Sequence, residues 1–219
     1  MILDRLPGPL RRWLCAGGSR EDRLRDPDAV VTALDLRPGM VVADLGPGYG
    51  LFTLRMARAV EPDGVVYTID ASQGTLDELM AAAGERGITT LRPVKVGRDR
   101  LDVPEPVDFL FVSATYHHLP HPEQYFADAR RHLRPGARLG ILESQRSGIL
   151  ASLLNRHGSP PDRLRRELAD AGYRLLTTHD LVVGHLFAEF EVITPPPTDE
   201  APFGCEVAGA QSINVWTNR

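Results

Sequence analysis

Three stretches of this 219-residue chain place chemically capable side chains directly after short apolar runs. The first is Asp44-Leu45-Gly46-Pro47-Gly48-Tyr49-Gly50. Glycines at this spacing permit positive φ and let a ligand approach the backbone closely, and a helix that follows turns its first N–H groups toward the loop. The second is Asp70-Ala71, with Asp70 20 residues beyond Gly50. A carboxylate there can accept two hydrogen bonds from a vicinal diol, as a ribose presents, or it can cap the helix that follows. The third is Tyr116-His117-His118, with Glu143 at the end of a later apolar run. Histidine titrates near neutral pH and is the natural candidate for moving a proton, although such side chains also simply shape a pocket. The two histidines are not ranked by sequence.

The elements that must position these residues follow from periodicity. Val41–Leu45, Val65–Ile69, Thr90–Val96, Val107–Ser113 and Arg138–Glu143 read as strands. Asp28–Leu36, Leu51–Val60, Gln73–Arg86 and Glu123–Leu133 read as helices between them. A last helix runs from Ser159-Pro160-Pro161-Asp162, which has capping-box character, to about Ala171. Tyr173–His179 and Leu186–Val192 then read as a closing hairpin. Alternating strands and helices predict an α/β fold, a Rossmann-like doubly wound sheet of seven strands, mostly parallel with one antiparallel edge strand. Ligands of such sheets bind beyond the carboxyl ends of the strands, where all three stretches fall.

A single domain is expected. Residues 1–27 are expected to form an N-terminal helical cap or lid, 28–192 the core, and 193–219 a tail rich in Pro and Gly in which Ile213–Thr217 reads as a short strand. Lys and Arg number 25 against 29 Asp and Glu, so the chain lacks the basic excess of a protein that coats nucleic acid. Cys15 and Cys205 stand far apart, which predicts neither a disulfide scaffold nor a zinc knuckle and favours a cytoplasmic setting. No apolar stretch suits a signal peptide or a transmembrane segment. His117, His118, His121 and Glu123 lack the helical spacing of a metal site, and none is assigned.

The loop and Asp70 admit a nicotinamide or an adenosylmethionine ligand. A dinucleotide fingerprint needs glycine where Leu51 stands; the spacing here is Gly-x-Gly-x-Gly. That loop resembles motif I of class I S-adenosylmethionine-dependent methyltransferases, and Val65–Ser72 resembles their second motif. Val107–Val112 with His117-His118-Leu119-Pro120 resembles their fourth strand and its loop. Leu133-Arg134-Pro135-Gly136-Ala137 resembles the Leu-Lys-Pro-Gly-Gly turn before their fifth strand. The likeness covers roughly residues 28–192 and is closest to the broad group of quinone and small-molecule methyltransferases. It implies S-adenosyl-L-methionine as cofactor, with Gly46, Gly48 and Gly50 passing its methionine part, Asp44 supporting the loop or the amino group, and Asp70 and Ala71 at the ribose. Family members often carry Gly-Asp after the third strand, to meet the adenine amino group. This chain reads Gly97-Arg98-Asp99, so Asp99 takes that place with a one-residue shift. The implied reaction is in-line methyl transfer to a small-molecule acceptor, with His117 and His118 as candidate bases and Tyr116 and Glu143 in the acceptor pocket. A non-catalytic cofactor-binding protein or partner subunit is a second reading, and a nicotinamide oxidoreductase, disfavoured by Leu51, a third.

Overall fold

The computed structural model describes residues 26–97, 99–145 and 159–193. All but the last two residues of the expected cap at 1–27, all but the first of the tail at 193–219 with its Ile213–Thr217, and both cysteines lie outside the described residues. Seven strands form one sheet: β1 (Val41–Leu45), β2 (Val65–Asp70), β3 (Leu91–Lys95), β4 (Val107–Ser113), β5 (Leu133–Ser144), β6 (Tyr173–His179) and β7 (His185–Val192). Their order is β3-β2-β1-β4-β5-β7-β6. The pairs from β3 through β5 are parallel, and β7 runs antiparallel to both neighbours. The hairpin thus places its second strand inside, between β5 and β6, and leaves β6 at the edge. The chain winds outward from β1 to β3 and then crosses back to β4, so the strand order reverses between β1 and β4. That crevice is where such sheets bind ligands.

Among the described residues five helices cover the sheet: α1 (Pro27–Ala33), α2 (Thr53–Ala59), α3 (Gln73–Gly84), α4 (Pro122–Ala129) and α5 (Pro161–Asp170). Side chains alternate across each strand, and the two sets reach separate cores. Val41, Ala43 and Leu45 of β1 join Leu110 and Val112 of β4 beneath Phe126 of α4 and Leu164 and Leu168 of α5. Val42, Phe109 and Phe111 face the other way, against Val30 of α1, Met56 of α2 and Leu79 of α3. Because β1 is buried throughout, it reads as an apolar run broken only by Asp44.

The element boundaries carry information. The helix after the glycine loop begins at Thr53, two residues later than periodicity predicts. The fifth strand begins at Leu133 and runs through Pro135-Gly136, which the sequence reads as a turn outside it. Tyr116–His118 and Arg130–His132 are single tight helical turns of three residues each. The capping box expected at Ser159 does not form: Pro160 precedes the first helical residue, the N-terminus carries no side-chain cap, and Ser159 is buried. Proline at the first helical position lacks an N–H, so less remains there to be capped.

Candidate functional site

At the carboxyl end of β1 the chain leaves the sheet through the glycine loop. The Gly46 N–H donates to the Ile69 carbonyl at 2.8 Å, which holds the loop's first residue against β2. Gly46 and Gly48 have φ of 73° and 53°, in the region where L side chains are strained. The two differ in what surrounds them. A Cβ on Gly46 would lie 2.1 Å from Thr115 Oγ1, whereas a Cβ on Gly48 would meet no atom of the described residues within 4 Å. Gly46 is therefore required by protein packing, and Gly48 looks onto open space. Gly50 is also closed: a Cβ there would lie 2.5 Å from Leu79.

Two carboxylates flank the loop in different environments. Asp44, on β1, is buried and accepts a 2.6 Å hydrogen bond from the Thr53 hydroxyl at the start of α2. Burial pushes its carboxyl up to about 7, against the lowering effect of the Thr53 bond, and the nearby Asp70 carboxylate raises it further. Asp70, at the end of β2, is only half-buried. Its Oδ1 accepts the Ser72 N–H at 2.8 Å. It does not cap α3; Ser72 does, accepting from the Thr75 N–H. Ala71 beside it is exposed. Asp99, beyond β3, is exposed as well, and its carboxylate folds back over Gly97, where a Cβ would lie 2.5 Å from Asp99 Oδ1.

Past β4 the chain turns sharply. Ala114 takes φ of 50°, unusual for a residue with a side chain. Thr115 packs on Gly46, its hydroxyl 3.5 Å from the Gly46 carbonyl and 3.0 Å from that of Ser113. Tyr116 goes the other way. Its ring is buried and stacked on Phe126, and its hydroxyl donates to Glu167 of α5 at 2.7 Å. Tyr116 is thus a core residue that anchors the turn, its ring against α4 and its hydroxyl on α5. Burial and the Glu167 carboxylate push that hydroxyl well above the usual tyrosine range. His117 follows, and its Nδ1 lies 2.9 Å from Oε1 of Glu143 at the end of β5. His118 is exposed, its ring 4.0 Å from that of His117.

The structure thus brings Gly46, Gly48, Asp44 and Asp70 together at one end of the sheet and pairs His117 with Glu143 across the β4–β5 boundary. Sequence reasoning does not find Thr115, which seals the loop, or Thr53, which satisfies Asp44. Neither carries a signal beyond its position after a strand or at a helix start. A cleft of about 730 Å³ lies behind the loop, lined by Tyr49, Gly50, Leu51, Arg55 and Arg86 among others. It lies on the face covered by α1 and α2 and includes none of Asp70, His117 or Glu143. Arg55 is already bound to Asp28 and Arg86 to the Ala82 carbonyl.

The arrangement fits an adenosyl sulfonium. Among the described residues the loop is open over Gly48, and the Asp70 carboxylate, accessible one strand away, favours a cation. The comparisons decide between ligand families. Residues 42–136 match a family model described as a methyltransferase domain. A structure titled a SAM dependent methyltransferase from Aquifex aeolicus superposes with a TM-score of 0.65 at 25% identity, over 83% of this chain and 97% of that one. The chain carries a class I, S-adenosylmethionine-dependent methyltransferase domain. Within that domain, 114 residues are 26% identical to a ubiquinone/menaquinone biosynthesis C-methyltransferase of Burkholderia cenocepacia, over 52% of this chain and 46% of that protein. A Streptomyces fradiae transposon protein of 37.1 kDa is 35% identical over 117 residues, 50% of this chain and 32% of that protein. The chain spans less than half the length of these curated relatives. Among the described residues no helix is long and apolar enough to cross a membrane, and no group of three or more His, Cys, Asp or Glu gathers as a metal site.

Proposed function

We propose that the whole protein is an S-adenosylmethionine-dependent methyltransferase that acts on a small-molecule acceptor in the cytoplasm. One observation carries this reading: the glycine loop is closed by protein atoms at Gly46 and Gly50 but open at Gly48, beside the accessible Asp70 carboxylate. The cofactor, when bound, supplies a methyl group on a cationic sulfur that leaves as a neutral thioether. The chain's own residues then have three tasks. Asp70 holds the ribose hydroxyls, with Ala71 beside it and Asp99 toward the adenine. Gly48 lets the methionine part lie against backbone. The turn after β4 holds the acceptor in line, where orientation alone can account for roughly 7–11 kcal/mol of the barrier in good cases. Residues 1–27 as a cap and 193–219 as a tail complete the proposed domain around the core.

Titration calorimetry with S-adenosylhomocysteine tests the reading, together with tritium transfer from methyl-labelled cofactor to candidate metabolites. Binding in the micromolar range and transfer to a small molecule are expected. A thermal-shift response to NADH and none to adenosylhomocysteine would overturn it, because a ligand that binds only the native state raises its stability.

A further inference from the structure

Glu143 is fully buried, and its Oε2 has no hydrogen-bond partner among the described residues, an expensive arrangement for a carboxylate. Its Oε1 accepts two bonds, the Ser144 N–H at 3.1 Å and His117 Nδ1 at 2.9 Å. An oxygen that already accepts a backbone N–H is the carboxyl's acceptor side, so the imidazole is the donor and its proton sits on Nδ1. Nε2 is then the free basic nitrogen. The turn that carries this ring is fixed on both flanks, by Thr115 against the glycine loop and by Tyr116 against α4 and α5. Only 15% of the His117 side chain is exposed. A buried carboxylate that sets the tautomer of a histidine and supports its charged form is a recurrent way to build a base.

Building on the methyltransferase reading, we propose that Glu143 is a positioning residue that holds His117 as the base for a hydroxyl acceptor methylated on oxygen. As the bond from acceptor oxygen to methyl carbon forms, the carbon–sulfur bond breaks and its electron pair leaves with sulfur. The hydroxyl proton passes to Nε2 of His117, and the resulting imidazolium, held by Glu143, releases it to solvent. A hydroxyl is the acceptor that calls for such a device. A phenol keeps its proton at neutral pH, with an ordinary value of about 10 for the tyrosine type, and reacts poorly until the proton is removed. An amine can shed its proton to water before it binds.

The test uses the full chain labelled with ¹⁵N-histidine, read by long-range ¹H–¹⁵N correlation and assigned by the signals lost in His117→Gln. The wild type is expected to show His117 protonated on Nδ1, and Glu143→Gln a mixture of tautomers. Protonation on Nε2 in the wild type, or an unchanged tautomer in Glu143→Gln, overturns the proposal even if the variant is less stable. Tritium transfer to a panel of phenols and alcohols supplies the second arm. His117→Gln should lower kcat by roughly 10²–10⁴-fold and abolish the acid limb of the pH profile. Glu143→Gln should lower kcat by at least tenfold with KM and adenosylhomocysteine affinity unchanged. Equal losses in kcat and cofactor affinity would mark a merely structural role. Transfer to amines and to no hydroxyl compound removes the acceptor class. Failure to bind adenosylhomocysteine sinks the methyltransferase reading itself, which the tautomer measurement does not depend on.

Discussion

Carboxylates stand at both ends of this sheet, and the protein treats them differently. At the amino end, Asp108 accepts the Val41 N–H and the Arg134 guanidinium on one oxygen, at 2.8 and 2.7 Å. Glu105 beside it accepts the Tyr67 hydroxyl and the same guanidinium. That network ties the beginnings of β1, β2, β4 and β5 together. At the carboxyl end, among the described residues, Asp44 has Thr53 and a raised carboxyl, Asp70 has one backbone donor, and Glu143 keeps an oxygen with no donor. Groups satisfied by the protein itself stabilise it, while groups left short of partners are ready for a ligand. The energetic imbalance between the two ends is what points to function.

The harshest way to break the comparison is Gly46→Val. Its φ of 73° strains any side chain, and Thr115 occupies the space. Strain and overlap together should cost about 3 kcal/mol or more and abolish adenosylhomocysteine binding. Gly48→Val sharpens the contrast. With φ of 53° and nothing among the described residues within 4 Å of the new Cβ, it should lose cofactor binding while costing only about 1–2 kcal/mol in thermal melts. Normal binding by Gly48→Val would show that the loop is not the cradle.

Asp44→Asn comes next, and its effect depends on pH. The folded-state carboxyl is raised from 3.8 to about 7, so between those values the folded form holds a proton that the unfolded form has lost. The stability that this proton linkage contributes is complete below pH 4, falls as pH rises, and is gone above about pH 7. The asparagine variant cannot titrate there. Its melting temperature relative to wild type should therefore climb from pH 4 to 7 and stay level beyond, a gain on the order of a few kcal/mol. A constant difference across that range would mean that Asp44 is ionised throughout in the folded state.

Much of the architecture is legible in the sequence because each layer imposes its own period. Val41–Leu45 is buried at every position and apolar at all but Asp44, since both faces of β1 are covered, and Gly-x-Gly-x-Gly after it marks the loop. Asp70 is found by its distance from that loop. What escapes the sequence is pairing between distant residues. Nothing in Thr115 announces that it will sit on Gly46, 69 residues away. His117 and His118 are indistinguishable until the turn places one against Glu143 and leaves the other exposed. The packing of Tyr116 on Phe126 escapes it for the same reason: a tight three-residue turn sends neighbours in different directions, and strand or helix periods say nothing about it. Pro135-Gly136 reads as a turn before β5 because local propensity favours one, yet the strand begins at Leu133, where it pairs with Val107.

Asp70→Ala tests the accessible end alone. Hydrogen bonds to a charged group contribute about 1.5–3 kcal/mol, so adenosylhomocysteine affinity should fall roughly tenfold to 150-fold by calorimetry. Stability should fall by less than about 1 kcal/mol, since Asp70 supports only the Ser72 N–H within the protein. Unchanged affinity would remove the ribose assignment.

Arg134→Met should have the smallest effect, and it bears on the satisfied end. The guanidinium bridges Asp108 and Glu105, but its side chain is 38% exposed and water screens both pairs. Methionine preserves most of the apolar stem. The loss should be about 1 kcal/mol, equivalent to a fall of roughly 2–4 °C in melting temperature for a domain of this size. Molar salt should narrow the gap between variant and wild type, because screening weakens the pairs that only the wild type has. Adenosylhomocysteine affinity should not move, since Asp108 and Glu105 lie at the opposite ends of the strands from Gly48 and Asp70. If affinity falls along with stability, the two ends of the sheet are coupled, and the amino-end network is part of the binding machinery rather than a clamp beneath it.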